Sequence, residues 1–421
     1  MFERKTAEKL YEEKLERLEI ATRVEEPDRV PIAVNTIYFP ARYAGITYHD
    51  MFYDYSKYTE AAVKFAKDFN WDAVGYLRSF ESATLGLTLA GYDPALAINV
   101  VAASVLAGGG VHDILGDKYS SLPGRELPEN VEAQFRIEEP FMSADEYDKL
   151  LENPFGFLAE TVVPRIYKSL ERPGSPEAIG AMIKLGVELG KFPPVLSEFI
   201  GKMKQVGCPP WYIALAPNPL DTLGAFLRDF DSLMLDMYRV PDKVKKVCEA
   251  LTPLLTEVGK ATGKISQEAT GSRRVFFPIW YNTYLSPKMY KEFHWAYTKR
   301  MIDEVVEAGF TPLMCFQGSH DHLLETVLEV PKGKTIAWFD KTDLRKAKEV
   351  IGDHACIAGG ISPSLLIGGT PQKVEENVKN IMEELKPGGG FIFTLPFNAI
   401  GDAKVENVKA MTEAVIKYGR Y

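Results

Sequence analysis

Eight short apolar runs, each set apart from the next by turn residues and helical patterns, limit this chain more than any other feature. They are Arg29–Asn35, Asp72–Tyr76, Trp211–Ala216, Arg274–Trp280, Thr311–Phe316, Thr335–Phe339, Ala355–Ala358 and Gly390–Thr394. Their lengths suit buried strands. Nearly every one is followed by apolar positions at helical spacing, as in Tyr55–Phe69, Pro287–Ala308, Leu344–Ile351, Pro371–Leu385 and Val405–Tyr418. A further helical stretch, Leu223–Leu255, is expected to break near Pro241. Strands alternating with helices imply parallel β/α units, and eight such units imply an α/β fold of the closed (β/α)8 TIM barrel type. An open doubly wound sheet is the runner-up.

The remaining segments are attachments to that frame. Residues 5–20 space Leu10 or Tyr11, Leu15 and Leu18 along one side of a charged helix, an amphipathic N-terminal arm. The stretch 82–205, after the second strand, loses the alternation and is rich in Pro and Gly. It reads as an insertion or cap over one end of the fold, because structureless loops of that length are rare. The whole chain, 1–421, is therefore expected to be one barrel domain.

Charge narrows the partners. A net charge of -9 and a pI near 5.4 argue against a nucleic-acid partner, which requires a basic stripe. Ala95–Gly110, the most apolar later run, is too short for a membrane span and is expected to be a core helix. The start has charges of both signs and no apolar core, unlike a secretory signal. Cys208, Cys248, Cys315 and Cys356 lie far apart, as expected for reduced thiols in a cytoplasmic protein.

Barrel strands deliver their last side chains to one mouth, where ligands collect. That rim is expected to include Asn35, Arg42, Arg78, Glu81, Asn218, Trp280, Tyr281, Asn282, Cys315, Gln317, His320, Asp340, Ser362 and Asn398. The densest group follows the fifth strand, where Gly318 breaks the run into Ser319-His320-Asp321-His322. Thiolate and imidazole are good zinc ligands, so Cys315 and His320 are candidate metal ligands. The alternative is that Cys315 is a small buried hydrophobe and that Ser319 or Asp321 caps the next helix. Lys386-Pro-Gly-Gly-Gly390 precedes a strand and reads as a turn, not a phosphate loop.

Several stretches resemble the uroporphyrinogen decarboxylase superfamily. They are Pro27-Asp-Arg-Val-Pro31, Asp236-Met-Tyr-Arg-Val-Pro-Asp-Lys243, Leu285-Ser-Pro-Lys-Met-Tyr-Lys-Glu-Phe293, Ala358-Gly-Gly-Ile-Ser-Pro-Ser-Leu-Leu366 and Gly388-Gly-Gly-Phe-Ile-Phe393. The resemblance covers 27–80 and 211–420 and leans toward the corrinoid-dependent methyltransferase branch. It implies a methyl group moved between a small methylated substrate, such as a methoxylated aromatic, and a corrinoid (cobalamin) carried by a partner protein. It leaves room for a homodimer. In that reading His320, with Cys315 or Gln317, assists the leaving group. Trp280, Tyr281, Asn282 and Asn398 line the substrate, and Arg42 or Arg78 holds a carboxylate. The zinc of coenzyme M methyltransferases would fall on Leu313, Cys315 and about Phe397, so only one of its ligands is present. The lone Arg42 stands where the decarboxylases carry an arginine-rich signature. The alternatives are a cofactor-free decarboxylase of a tetrapyrrole or small carboxylic acid, using Arg78, Glu81 and Arg42, and a non-catalytic binding member.

Overall fold

In the computed structural model, residues 6–75, 81–103, 108–397 and 400–421 are described. Eight parallel strands form the centre: β1 (Ala33–Asn35), β2 (Ala73–Gly75), β3 (Ala214–Leu215), β4 (Arg274–Ile279), β5 (Thr311–Phe316), β6 (Ile336–Phe339), β7 (Cys356–Gly359) and β8 (Phe391–Phe393). Strands β3 to β8 are hydrogen-bonded in chain order, and β1 pairs with β2. Two seams join these sheets. The Phe393 amide donates to the Pro31 carbonyl at 2.9 Å, and Trp211 donates to Val74 at 2.9 Å. Parallel bridges Ile32–Phe393 and Val74–Pro210 lie at the same places. The ring is closed, as the eight runs predict.

The pleat explains why these runs are apolar throughout. Alternate residues face inward, so Phe276, Leu313, Cys315, Ile336, Trp338, Cys356, Ala358 and Ile392 fill the barrel. The intervening Val275, Phe277, Met314, Phe316, Ala337, Ile357 and Phe391 pack against the outer helices. A strand covered on both faces has no polar side to show. The N-terminal helix Ala7–Thr22 is not a free arm. Its Leu18 and Ala21 belong to the inner cluster, so it closes the amino end of the barrel.

The insertion is more helical than its sequence suggests. It contains Ala83–Leu89, Pro94–Ala103, Gly109–Leu115, Tyr147–Glu152, Pro176–Leu189 and Phe192–Gln205. The run expected to be a core helix forms the helix Pro94–Ala103, with Ala97 and Val100 buried and Leu96 38% exposed, and its positions 104–107 lie outside the described residues. Ser120–Ser121 and Gln134–Phe135 pair antiparallel, and this small ribbon hangs over the carboxyl end of the barrel. No described helix is long and apolar enough to cross a membrane.

Candidate functional site

A cavity of about 1030 Å³ lies between the carboxyl ends of the strands and the insertion. Its floor is made by strand exits: Trp280 and Tyr281 after β4, Gln317 and Gly318 after β5, and Asp340 after β6. Gly318 adopts φ +67°, a left-handed turn that glycine makes without steric cost, and its amide donates to the Asp340 carboxylate at 3.2 Å. The roof comes from Glu81, just before the insertion, and from Glu132, Phe135, Arg136 and Glu138 within it. Tyr38 ties roof to barrel, its hydroxyl accepting from the Ala133 amide at 2.9 Å.

One wall comes from an unexpected break. The helical pattern beginning at Leu223 stops at Asp229 as well as at Val240. The turn Gly224–Arg228 widens to π geometry, and Asp229 then takes φ 66° and ψ 168°. That backbone region is almost exclusive to glycine and costs of order 1–3 kcal/mol for another residue. Asp229 offsets part of it by capping the helix Phe230–Arg239, accepting from the Ser232 amide and hydroxyl at 2.8 Å each. The kink turns Phe230 toward the mouth. Its ring stacks on Tyr281 at 5.3 Å and meets Tyr284 edge-on at 4.7 Å. Burial, followed by the charges of Asp221, Asp229 and Asp231, pushes the Tyr281 phenol upward. A side chain at Gly224 would strike the Tyr281 hydroxyl, 2.0 Å from an added Cβ, so glycine there allows the ring its place.

The charge of the lining is lopsided. Glu81, Glu132, Glu138, Asp229, Asp231 and Asp340 face it, against Arg136 and Lys341 among the described residues. Burial, and then Asp402, raises the pKa of Glu132. A smaller apolar chamber of about 100 Å³ adjoins the cavity at Trp280 and Phe397, with Phe276 and Pro278 from β4 and Leu87 from the insertion.

The predicted site residues divide. Gln317, Glu81, Trp280, Tyr281 and Asp340 meet at the cavity. Arg78 and Asn398 lie outside the described residues. His320 does not reach the mouth. Its ring is fully buried, stacked on the outward-facing Phe316 at 3.9 Å and near Tyr290 at 5.6 Å. Asn282 sits beside it, with its amide 3.4 Å from His320 Nδ1, and lines no cavity among those described. Burial, then His322 and His294, holds His320 well below the usual imidazole range. Arg42 is already engaged, donating to the carbonyls of Gly401 and Ala403 at 2.8 Å each. It holds a loop, not a substrate carboxylate.

The metal reading of Cys315 and His320 fails on strand geometry. Cys315 points into the barrel, and burial drives its thiol well above the usual range. His320 lies behind Phe316, outside the barrel wall, so the pair cannot share an ion. The other positions implied for zinc are apolar: Leu313 packs inside the barrel, and Phe397 stacks on Phe276 at 5.5 Å. These residues do not fit the zinc of the resembled enzymes, and no group of three or more His, Cys, Asp or Glu able to hold a metal occurs among the described residues. Ser319 and Asp321 do not cap the next helix either. Asp321 accepts instead from the Asp343 amide at 3.0 Å.

The sequence reading missed Asp229, Phe230, Asp231 and Tyr284. The available signal was an acid–aromatic–acid triplet inside a helical stretch, with a serine at the spacing an aspartate cap prefers.

Residues 212–418 match the family described as uroporphyrinogen decarboxylase (URO-D). The uroporphyrinogen decarboxylase of Pelobacter propionicus is 28% identical over 195 residues, 46% of this chain and 54% of that protein. That of Coxiella burnetii is 25% identical over 210 residues, 49% of this chain and 55% of its own. The chain thus spans about half the length of the curated relatives it matches. A methyltransferase from Methanosarcina mazei shares the fold, with a TM-score of 0.60 at 15% identity over 96% of this chain and 98% of that one.

Proposed function

From a C-terminal half, residues 212–418, that matches the uroporphyrinogen decarboxylase family, we propose a corrinoid-linked methyltransferase acting on a small methylated substrate. The observation that carries this reading is the sign of the cavity. A tetrapyrrole with many carboxylates needs several cations around it. Here, with Glu81 set aside, the described lining sets five carboxylates against two cations, and Arg42 is committed to backbone carbonyls. Coulomb repulsion in a partly enclosed cavity would oppose such a substrate. The methyltransferase from Methanosarcina mazei, with its matching fold, supports the other branch.

The volume suits a small organic molecule with room to spare. At the rim stand Phe230 and Tyr284, 40% and 61% exposed, and a corrinoid presented by a partner protein would reach the substrate through the opening beside them. When bound, such a corrinoid supplies a strongly nucleophilic cobalt. The chain's own residues have simpler tasks: Trp280 and Tyr281 position the methylated group, the insertion shields it from water, and Gln317 with Asp340 orients its polar end.

The test is incubation with reduced cobalamin and a panel of methylated compounds, reading the demethylated product by mass spectrometry. Uroporphyrinogen runs alongside, read by loss of carbon dioxide. Release of a demethylated product supports the proposal, while decarboxylation of uroporphyrinogen alone sinks it. The second reading, a decarboxylase, is favoured by the names of the sequence relatives.

A further inference from the structure

We propose that the mouth binds a quaternary ammonium ion and that, within the corrinoid-linked reading on which this part rests, that ion is the methyl donor. The argument starts at Asp229-Phe230-Asp231. Phe230, Tyr281 and Tyr284 pack ring against ring at centroid distances of 5.3 and 4.7 Å, and a carboxylate flanks Phe230 on each side in the chain. Aromatic faces carry negative electrostatic potential, and they bind trialkylammonium groups without needing an N–H donor. The adjacent carboxylates supply charge of the same sign at longer range.

The wider lining agrees. Glu132, Glu138, Asp229, Asp231 and Asp340 form no ion pair among the described residues, and Arg136 and Lys341 are the only described cations on the wall. One additional cation would still leave the carboxylates in excess. An aromatic carboxylate would be repelled from such a site, and a neutral ether would gain nothing from it. The apolar chamber of about 100 Å³ beside Trp280 and Phe397 is of a size for methyl groups.

Chemistry points the same way. When a methyl group passes from a quaternary nitrogen to a two-electron nucleophile, the C–N electron pair stays on nitrogen. A neutral tertiary amine leaves, and no proton has to be supplied. An ether oxygen leaving as an alkoxide or phenoxide asks for a proton or equivalent help, and His320, the candidate donor, is buried away from the cavity.

Binding of choline, its neutral isostere 3,3-dimethyl-1-butanol and 4-methoxybenzoate to the full chain can be compared by titration calorimetry at low salt. Choline is expected to bind at least about tenfold more tightly than the isostere. The exposed-site variants Tyr284→Ala and Asp231→Asn are expected to weaken choline while leaving the thermal transition in place. Equal binding of choline and the isostere overturns the inference, as does a preference for 4-methoxybenzoate. Mass spectrometry of the same mixtures with reduced cobalamin separates the two claims. Choline bound without release of dimethylaminoethanol keeps the ligand class and overturns the donor claim, and if no methylated compound of the panel is demethylated either, the methyltransferase reading falls with it. Demethylation of 4-methoxybenzoate without choline binding does the reverse.

Discussion

At the amino end of the barrel, the fully buried Asp72 accepts from Arg17 at 2.5 Å, from Arg29 at 2.7 Å and from the Ile32 amide at 2.8 Å. Beside it Lys14 donates to Asn70 at 2.7 Å. Arg274, 0% exposed, donates to the Trp211 and Pro210 carbonyls at 2.8 and 3.0 Å. Burial lowers the pKa of both Lys14 and Arg274, yet each has partners in hand. At the carboxyl end, among the described residues, Asp229 and Asp340 accept from backbone amides and a serine hydroxyl, and Glu132 from no cation. The first arrangement is closed: most of its charged groups are paired or hydrogen-bonded within the chain, and they hold the helix Ala7–Thr22 against the strands. The second is open, and its unmatched charge is available to something that is not the chain. In a barrel, matched polarity at the bottom serves stability and unmatched polarity at the mouth serves binding.

The largest expected effect comes from breaking the closed end. Asp72→Ala takes from Arg29 its only described carboxylate and from Arg17 one of its two, Asp28 remaining at 2.6 Å, and it frees the Ile32 amide. Removing one partner of a buried ion network costs about 3–5 kcal/mol, so denaturant unfolding should shift by that amount. A loss below about 1 kcal/mol would mean the bottom is no more committed than the mouth.

His320 lies outside the barrel wall, stacked on the last residue of β5, and sharpens the contrast, because it was expected at the mouth. Its folded pKa lies below the unfolded value, so its neutral form contributes fully above about pH 6.5. That contribution is lost as pH falls toward the folded value, at up to about 1.4 kcal/mol per pH unit. His320→Phe keeps the stack on Phe316 and removes the titration. The variant should lose less stability than wild type between pH 6 and 4.5 and bind ligand as before. Loss of binding with unchanged acid stability would return His320 to the site.

The insertion carries the opposite dependence, with a smaller effect. Burial disfavours the His112 imidazolium, but Asp117 at 2.7 Å and Glu126 at 3.3 Å outweigh it, raising the pKa to about 9. Its stabilisation is therefore full below the unfolded value near pH 6.5 and is lost as pH rises through about 9. With screening by solvent the effect should be on the order of 1–2 kcal/mol. Hydrogen exchange of Gly109–Leu115 should quicken over that window beyond its intrinsic pH dependence, and Asp117→Asn should abolish the excess.

The fold was legible because strands buried on both faces leave uninterrupted apolar runs. All eight predicted strands overlap a strand of the structure. The site was legible only where it sits on those strands: Trp280, Tyr281, Gln317 and Asp340. Direction of side chain was not legible. Cys315 and Phe316 are neighbours in sequence yet face opposite sides of the wall, and everything stacked on Phe316, His320 included, goes with the outer layer. The Asp229 break was hidden because no Gly or Pro marks it. Glu132 and Arg136 lie in a segment without periodicity, so no pattern tied them to the mouth.

Asp229 offers the smallest stability effect and the sharpest test of the contrast. Replacing a helix-capping aspartate by glycine loses only a few tenths of a kcal/mol. At φ 66° and ψ 168° glycine also relieves backbone strain of order 1 kcal/mol or more. Asp229→Gly should therefore change the unfolding free energy by no more than about 1 kcal/mol, with the gain in backbone freedom set against the lost cap. Choline affinity should nonetheless fall about two- to fivefold, the scale of one partly exposed charge. Asp72→Ala removes a carboxylate too, and there the whole effect should appear in stability. If Asp229→Gly destabilised the chain as much as Asp72→Ala, the mouth carboxylates would be structural like those below, and the excess of negative charge would no longer argue for a cationic ligand.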